Sequence, residues 1–228
     1  MQKFAVIFDF NGTMLFDTPL QLEAWSRLLE ETQGRSIAKD EFLRCTNGRT
    51  SRETVQHFWG AGLSAQQQDV LIERKRELYR QLCMEHPERF HLVNGLPDVL
   101  DLLKKYDIPF TIATSSSPRS VDFYFEHLGL GQWFDRGAVV CSDRNFPGKP
   151  APDIYRIAAR QLNTPPEACM VVEDALAGAY AARGAGIGFI VVIDPEDTGL
   201  IWVGNEVHCV IHAYDELERM LRAILAEK

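Results

Sequence analysis

Five short apolar runs, at 4–8, 110–113, 138–140, 169–172 and 189–193, punctuate the chain. Each is hydrophobic throughout rather than alternating, the pattern of strands covered on both faces in a parallel sheet. Helical periodicity fills the intervals, with helices expected over 97–105, 119–128, 153–162, 175–183 and 214–226. In the last of these, Leu217, Met220, Leu221, Ile224 and Leu225 form one stripe. Strand alternating with helix predicts an α/β fold: a doubly wound, mainly parallel, Rossmann-like sheet.

The alternation breaks once. About a hundred residues separate the first two strands, far more than one crossover helix needs. Within them, 18–90 reads as almost purely helical, with Leu22, Trp25, Leu28 and Leu29 on one stretch and Val70, Leu71, Leu78 and Leu82 on another. The economical expectation is an α/β core over 1–17 and 91–228 with an all-helical insertion over 18–90.

Composition removes several function classes. With 46% hydrophobic and 25% charged residues the chain is globular. A net charge of -8 argues against nucleic acid and against anionic membrane as partners. Five cysteines, an odd number without CxxC spacing, suit reduced thiols. No apolar run has the length of a membrane span, and no leader-like segment precedes the first strand, so a soluble, cytoplasmic protein is expected. No oligomeric state follows from the sequence.

The candidate chemistry lies at strand ends. Asp9 follows the first run, Thr114 opens Thr-Ser-Ser-Ser after the second, Lys149 lies in the loop after the third, and Glu173-Asp174 closes the fourth. In a parallel sheet these ends open onto one crevice. Carboxylates from two strands suit Mg²⁺, which takes hard oxygen ligands. A carboxylate so placed can attack phosphorus, while a lysine and hydroxyls hold the phosphoryl oxygens. Singly, each feature reads as a cap, a loop or a solvated charge; together they point to phosphoryl transfer.

Four motifs carry a resemblance to the haloacid dehalogenase (HAD) superfamily: "DFNGT" (9–13), "ATSSS" (113–117), "GKPAPD" (148–153) and "VVEDALAG" (171–178). The helical insertion resembles the cap of its β-phosphoglucomutase-like and sugar phosphatase branch. The resemblance implies a HAD-like core, Mg²⁺ as cofactor and a small phosphorylated metabolite as substrate. By it, Asp9 is nucleophile and metal ligand, and Thr114, Ser115, Ser116 and Lys149 surround the phosphoryl group. Glu173 and Asp174 serve the metal, which the backbone carbonyl of Asn11 also reaches. In the insertion, "NGRTSRET" (47–54) places Arg49, and "ERKRELY" (73–79) places Lys75, where similar proteins contact substrate. For Lys75 a solvated helix position is an equally good reading.

Two departures from that pattern matter. Most phosphatases and mutases of the family carry aspartate where this chain has Asn11; the carboxyl protonates the leaving group and later activates water. An amide does not titrate, and such acid–base catalysis is worth about 10²–10⁴ in rate. The histidine usual early in the mutase-like cap is also missing, since "DTPLQLEAW" (17–25) offers Gln21 or Leu22. Three explanations stay open: a substrate with a good leaving group or its own proton, a cap residue or water replacing the acid, or a chain weakened so that it holds a complex. A phosphomutase and a metabolite-binding regulator are the rival functions.

"GAGIG" (184–188) follows a helix and precedes a strand, the reverse of a dinucleotide-binding context, and is expected to be a helix stop and tight turn.

Overall fold

The computed structural model describes residues 4–46, 50–142, 145–197 and 207–226. In chain order, β1 (Ala5–Phe8) precedes four helices: α1 (Thr18–Gln33), α2 (Lys39–Thr46), α3 (Ser51–Trp59) and α4 (Ala65–Glu85). Then come α5 (Leu96–Lys105), β2 (Phe110–Thr114), α6 (Pro118–Leu128), β3 (Val140–Cys141) and α7 (Asp153–Gln161). The remainder is β4 (Cys169–Glu173), α8 (Leu176–Ala185), β5 (Phe189–Ile193), β6 (Cys209–Ile211) and α9 (Tyr214–Ala226). The chain forms two compact units, one of Met1–Leu15 with Leu92–Lys228 and the other of Phe16–His91.

The first unit is built on a six-stranded parallel sheet in the order β3-β2-β1-β4-β5-β6. The fully buried run Ala-Val-Ile-Phe makes β1 a central strand, with Ile7 beside Thr111 of β2 on one side and Val171 of β4 on the other. Strand order reverses between β1 and β4, so a crevice opens at the carboxyl ends of these two strands. On one face α7 and α8 pack through small residues: Ala158, Ala159, Ala179 and Ala182 are buried with Ile7, Ala113 and Tyr155. Short side chains let these helices approach the sheet closely. Gly186 ends α8 in the left-handed conformation (φ 82°). A Cβ on Gly188 would lie 1.9 Å from the Glu167 carbonyl oxygen.

Three local readings of the sequence need correction. The third strand is shorter and later than 138–140: Arg136–Ala138 is a 3₁₀ turn, capped by the Asp135 carboxylate accepting from Gly137 N at 2.9 Å. This is an edge strand with a neighbour on one side only, so pairing imposes less on its length. On α9, Leu217 and Leu221 are buried but Ile224 is exposed, so the stripe is narrower than its apolar residues suggest.

The third correction lies in the helical unit, where α4 packs against α1 and α3. Val70 is 64% exposed, and the buried face of α4 runs instead through Gln68, Ile72, Lys75, Leu78, Tyr79 and Leu82. Capping boxes start two of these helices: Thr50 with Glu53 for α3, and Ser64 with Gln67 for α4. The turn fixed by Ser64 phases α4 so that two polar residues lie on its inner side, which an apolar pattern does not reveal.

Candidate active site

The end of β1 turns sharply. Backbone N–H groups of Thr13, Met14 and Leu15 all donate to the Phe10 carbonyl, and Gly12 N donates to Leu15 O at 2.8 Å. Gly12 has φ +82°, and a Cβ there would lie 2.0 Å from Asp174 Oδ2. Glycine is therefore needed twice, for the turn and for the approach of the β4 carboxylate. Asp9 N donates to the Val172 carbonyl at 2.9 Å, which ties the nucleophile candidate's backbone to β4.

Lys149 is the centre of the site. Its buried Nζ donates to Asp9 Oδ1 at 2.5 Å and to Glu173 Oε1 at 2.6 Å, with the Ala113 carbonyl at 3.4 Å. Glu173 is saturated: Tyr155 OH also donates to Oε1 at 2.6 Å, and the backbone N–H groups of Asp174 and Ala175 donate to Oε2 at 2.9 and 3.1 Å. Asp174 Oδ1 accepts from Thr13 Oγ1 at 3.1 Å. A Cβ on Gly178 would lie 1.7 Å from Glu173 Oε1, so α8 starts in contact with the carboxylate.

Asp9, Glu173 and Asp174 bring carboxylate oxygens within 4.8 Å of one another. One ammonium does not balance three carboxylates, and burial in low dielectric raises the cost. Burial, with Glu173 adding to it and Lys149 opposing it, pushes the Asp9 carboxyl up to about 7. Burial and the neighbouring Glu173 and Asp9 hold Asp174 well above the usual carboxylate range. For Lys149, burial pulls downward, but Asp9 and Glu173 prevail and keep the group an ammonium, above its ordinary range.

This donor set fits a divalent cation. It offers hard oxygens only, already gathered, with an excess of negative charge that a cation would relieve. Asp9 and Asp174 each keep an oxygen outside the bonds to Lys149 and Thr13, whereas both oxygens of Glu173 are taken. Glu173, expected at the metal and gathered with these oxygens, also fixes Lys149 and the Asp174 turn.

The phosphate-binding candidates from β2 lie in the same unit. Thr114 is buried, and its Oγ1 accepts from Ser116 N at 3.1 Å. Ser116 Oγ donates to Asn11 Oδ1 at 2.7 Å, and Asn11 Nδ2 donates to Tyr124 OH at 3.1 Å. Ser115 is half-buried beside them. Sequence reasoning missed Thr13, Tyr124 and Tyr155. Thr13 sits inside the DFNGT motif and could have been singled out; the two tyrosines lie on apolar helix faces and read as core.

In the helical unit Lys75 is buried, not solvated. Its Nζ donates to Gln21 Oε1 and stands over the rings of Trp25 (5.2 Å) and Tyr79 (5.0 Å). Asp17 Oδ2 accepts from Tyr79 OH at 2.6 Å and Gln21 Nε2 at 2.7 Å. Arg49 lies outside the described residues.

The chain is similar to known proteins over most of its length. A family model for haloacid dehalogenase-like hydrolases matches residues 5–186. Hexitol phosphatase A of Escherichia coli is 31% identical over 216 residues, covering 92% of this chain and 91% of the relative. The structure of a HAD hydrolase, family IA, variant 3 from Entamoeba histolytica superposes with a TM-score of 0.87 at 34% identity, covering 96% of this chain and 97% of that one. An aspartate-to-asparagine mutant of CbbY from Rhodobacter sphaeroides, solved with xylulose-(1,5)bisphosphate, gives a TM-score of 0.79 at 25% identity over 93% and 95% of the two chains.

Proposed function

Since the chain belongs to the haloacid dehalogenase-like hydrolases, we propose that it is a Mg²⁺-dependent phosphohydrolase of a small phosphorylated sugar or polyol, working through a phosphorylated Asp9. The observation that carries this reading is Lys149 Nζ bridging Asp9 and Glu173 at 2.5 and 2.6 Å, beside Asp174, at the carboxyl ends of β1 and β4. Relatives named as phosphatases of hexitol phosphates, phosphorylated carbohydrates and fructose 1-phosphate support the substrate class.

Asp9 and Asp174 would hold Mg²⁺, which supplies charge for the phosphoryl oxygens and keeps both carboxyls ionised. The Asp9 oxygen attacks phosphorus, and Lys149 holds the nucleophile in place and faces the negative charge that gathers during transfer. Thr114, Ser115 and Ser116 offer hydroxyl and backbone donors to the remaining phosphoryl oxygens. Glu173 orients Lys149 rather than reacting, and Thr13 fixes the Asp174 carboxylate. The helical insertion over 18–90 sets substrate preference in this reading, with Arg49 and Lys75 as its candidate contacts.

A screen of small phosphomonoesters with Mg²⁺ tests the proposal, read as phosphate release from the native chain and from Asp9→Asn. Release that requires Asp9 supports it. Isomerisation of a bisphosphorylated sugar without release would favour the mutase, and tight Mg²⁺-dependent binding with no release, even after Asn11→Asp, the regulator.

A further inference from the structure

Tyr155 is the third residue of α7 and is fully buried, with its ring among the small residues that seat α7 and α8 on the sheet. Its hydroxyl donates to Glu173 Oε1 at 2.6 Å, the same oxygen that accepts from Lys149 Nζ at 2.6 Å. A buried hydroxyl without such a partner would be costly, so this bond is part of how α7 docks. It also bears on the ammonium. Lys149 Nζ lies between Glu173 Oε1 and Asp9 Oδ1, at 2.6 and 2.5 Å, and 5.0 Å from the centre of the Tyr155 ring. Where the ammonium rests depends on how strongly each carboxylate draws it. The other oxygen of Glu173 accepts from the backbone N–H groups of Asp174 and Ala175. Oε1 is therefore the atom whose charge is divided between the lysine and the tyrosine.

We propose that Tyr155 is a positioning residue of this site: its hydroxyl takes up part of the charge on Glu173 Oε1 and so keeps the Lys149 ammonium shared with Asp9. The inference rests on the phosphohydrolase reading and adds a residue to it. Without the hydroxyl, Lys149 is the remaining side-chain donor to Oε1, and that oxygen attracts the ammonium more strongly. The ammonium then shifts toward Glu173 and away from Asp9, where negative charge gathers during transfer. Tyr155 is sealed from solvent, so it does not touch substrate. Its removal should act on the transfer step and leave the binding of substrate as it is. Phenylalanine keeps the ring that packs in the core and faces Lys149, so Tyr155→Phe isolates the hydroxyl.

The test is single-turnover release of nitrophenolate from 4-nitrophenyl phosphate with Mg²⁺ and protein in excess. An Asp9 oxygen forms the new bond to phosphorus, the bond to the phenol oxygen breaks, and its electron pair leaves on nitrophenolate. The rate at saturating protein reads the transfer step, and the half-saturating concentration reads binding. Three chains are compared, each corrected for its folded fraction: native, Tyr155→Phe, and one with 4-aminophenylalanine at position 155, which keeps the ring and a weaker donor. The saturating rate should fall about tenfold in Tyr155→Phe, part of what a hydrogen bond to a charged group is worth, and by less in the aminophenylalanine chain. The half-saturating concentration should change by less than about twofold. Should Tyr155→Phe not fold, the aminophenylalanine chain decides against the native one, with a fall of about threefold expected. A native saturating rate in the variant that folds, whatever its denaturation midpoint or half-saturation, would overturn this inference and leave the phosphatase reading standing. Release that persists in Asp9→Asn, or no release from the native chain, would bring down the phosphatase reading and this inference with it.

Discussion

Among the described residues each unit of the molecule buries one lysine, and the two are driven in opposite directions. At the strand ends Lys149 touches two carboxylates, and their attraction outweighs burial, so it stays an ammonium. In the helical unit Lys75 touches a neutral amide and two aromatic faces, with Asp17 one hydrogen bond further away. There burial wins, and the amine is lowered to about 8. The same side chain is a fixed cation where the site must attract phosphate and a group near its titration point where it does not face an acid. Distance to a carboxylate, not depth of burial, decides which.

Removing the cation at the strand ends should have the largest effect. Lys149→Met leaves Asp9 and Glu173 buried without their counter-charge, and truncating one member of such a pair costs about 3–5 kcal/mol. Urea denaturation should show that loss, and phosphate release should vanish with it. An unchanged denaturation midpoint would mean the carboxylates are not held as described.

In the helical unit the same substitution should act with the other sign. A lysine lowered from 10.5 to about 8 binds fewer protons folded than unfolded over that window, so stability rises with pH between about 8 and 10.5. Below pH 8 the folded chain carries the whole penalty, about 3 kcal/mol at most. Lys75→Met should therefore stabilise the chain near pH 7 by about 1–3 kcal/mol, offset by the lost bond to Gln21. The gain should shrink as pH rises from about 8 towards 10.5, a trend readable from denaturation at pH 7, 8.5 and 10. If Lys75 also contacts substrate, KM will rise in the same variant.

Smaller effects sharpen the comparison. Tyr155→Phe removes one of the donors on Glu173 and should cost about 1.5–3 kcal/mol, as expected for a hydrogen bond to a charged group. Tyr124→Phe loses a neutral hydrogen bond with Asn11, worth about 0.5–1.5 kcal/mol, so its midpoint should move least.

The contrast also separates what the sequence reveals from what it hides. Continuous apolar runs made the central strands legible, and a parallel sheet places Asp9, Thr114, Lys149 and Glu173-Asp174 at one edge without further information. The bonds that hold Glu173 were hidden because its four donors come from Lys149, Tyr155 and two backbone amides that only the folded chain assembles. Tyr124 and Tyr155 were hidden for a related reason: an aromatic on an amphipathic helix face satisfies the core pattern, and its hydroxyl leaves no trace in periodicity. The buried face of α4 was misphased because Gln68 and Lys75 are paid for by partners, Arg52 and Gln21 among them, that a hydrophobic pattern does not register.

The account stands most directly on covalent capture by Asp9. Incubation with acetyl phosphate and Mg²⁺, followed by quench and peptide mapping, should place one phosphoryl group on the peptide containing residue 9 and none in Asp9→Asn. Phosphate release that persists in Asp9→Asn, or a label carried by another residue, would contradict it.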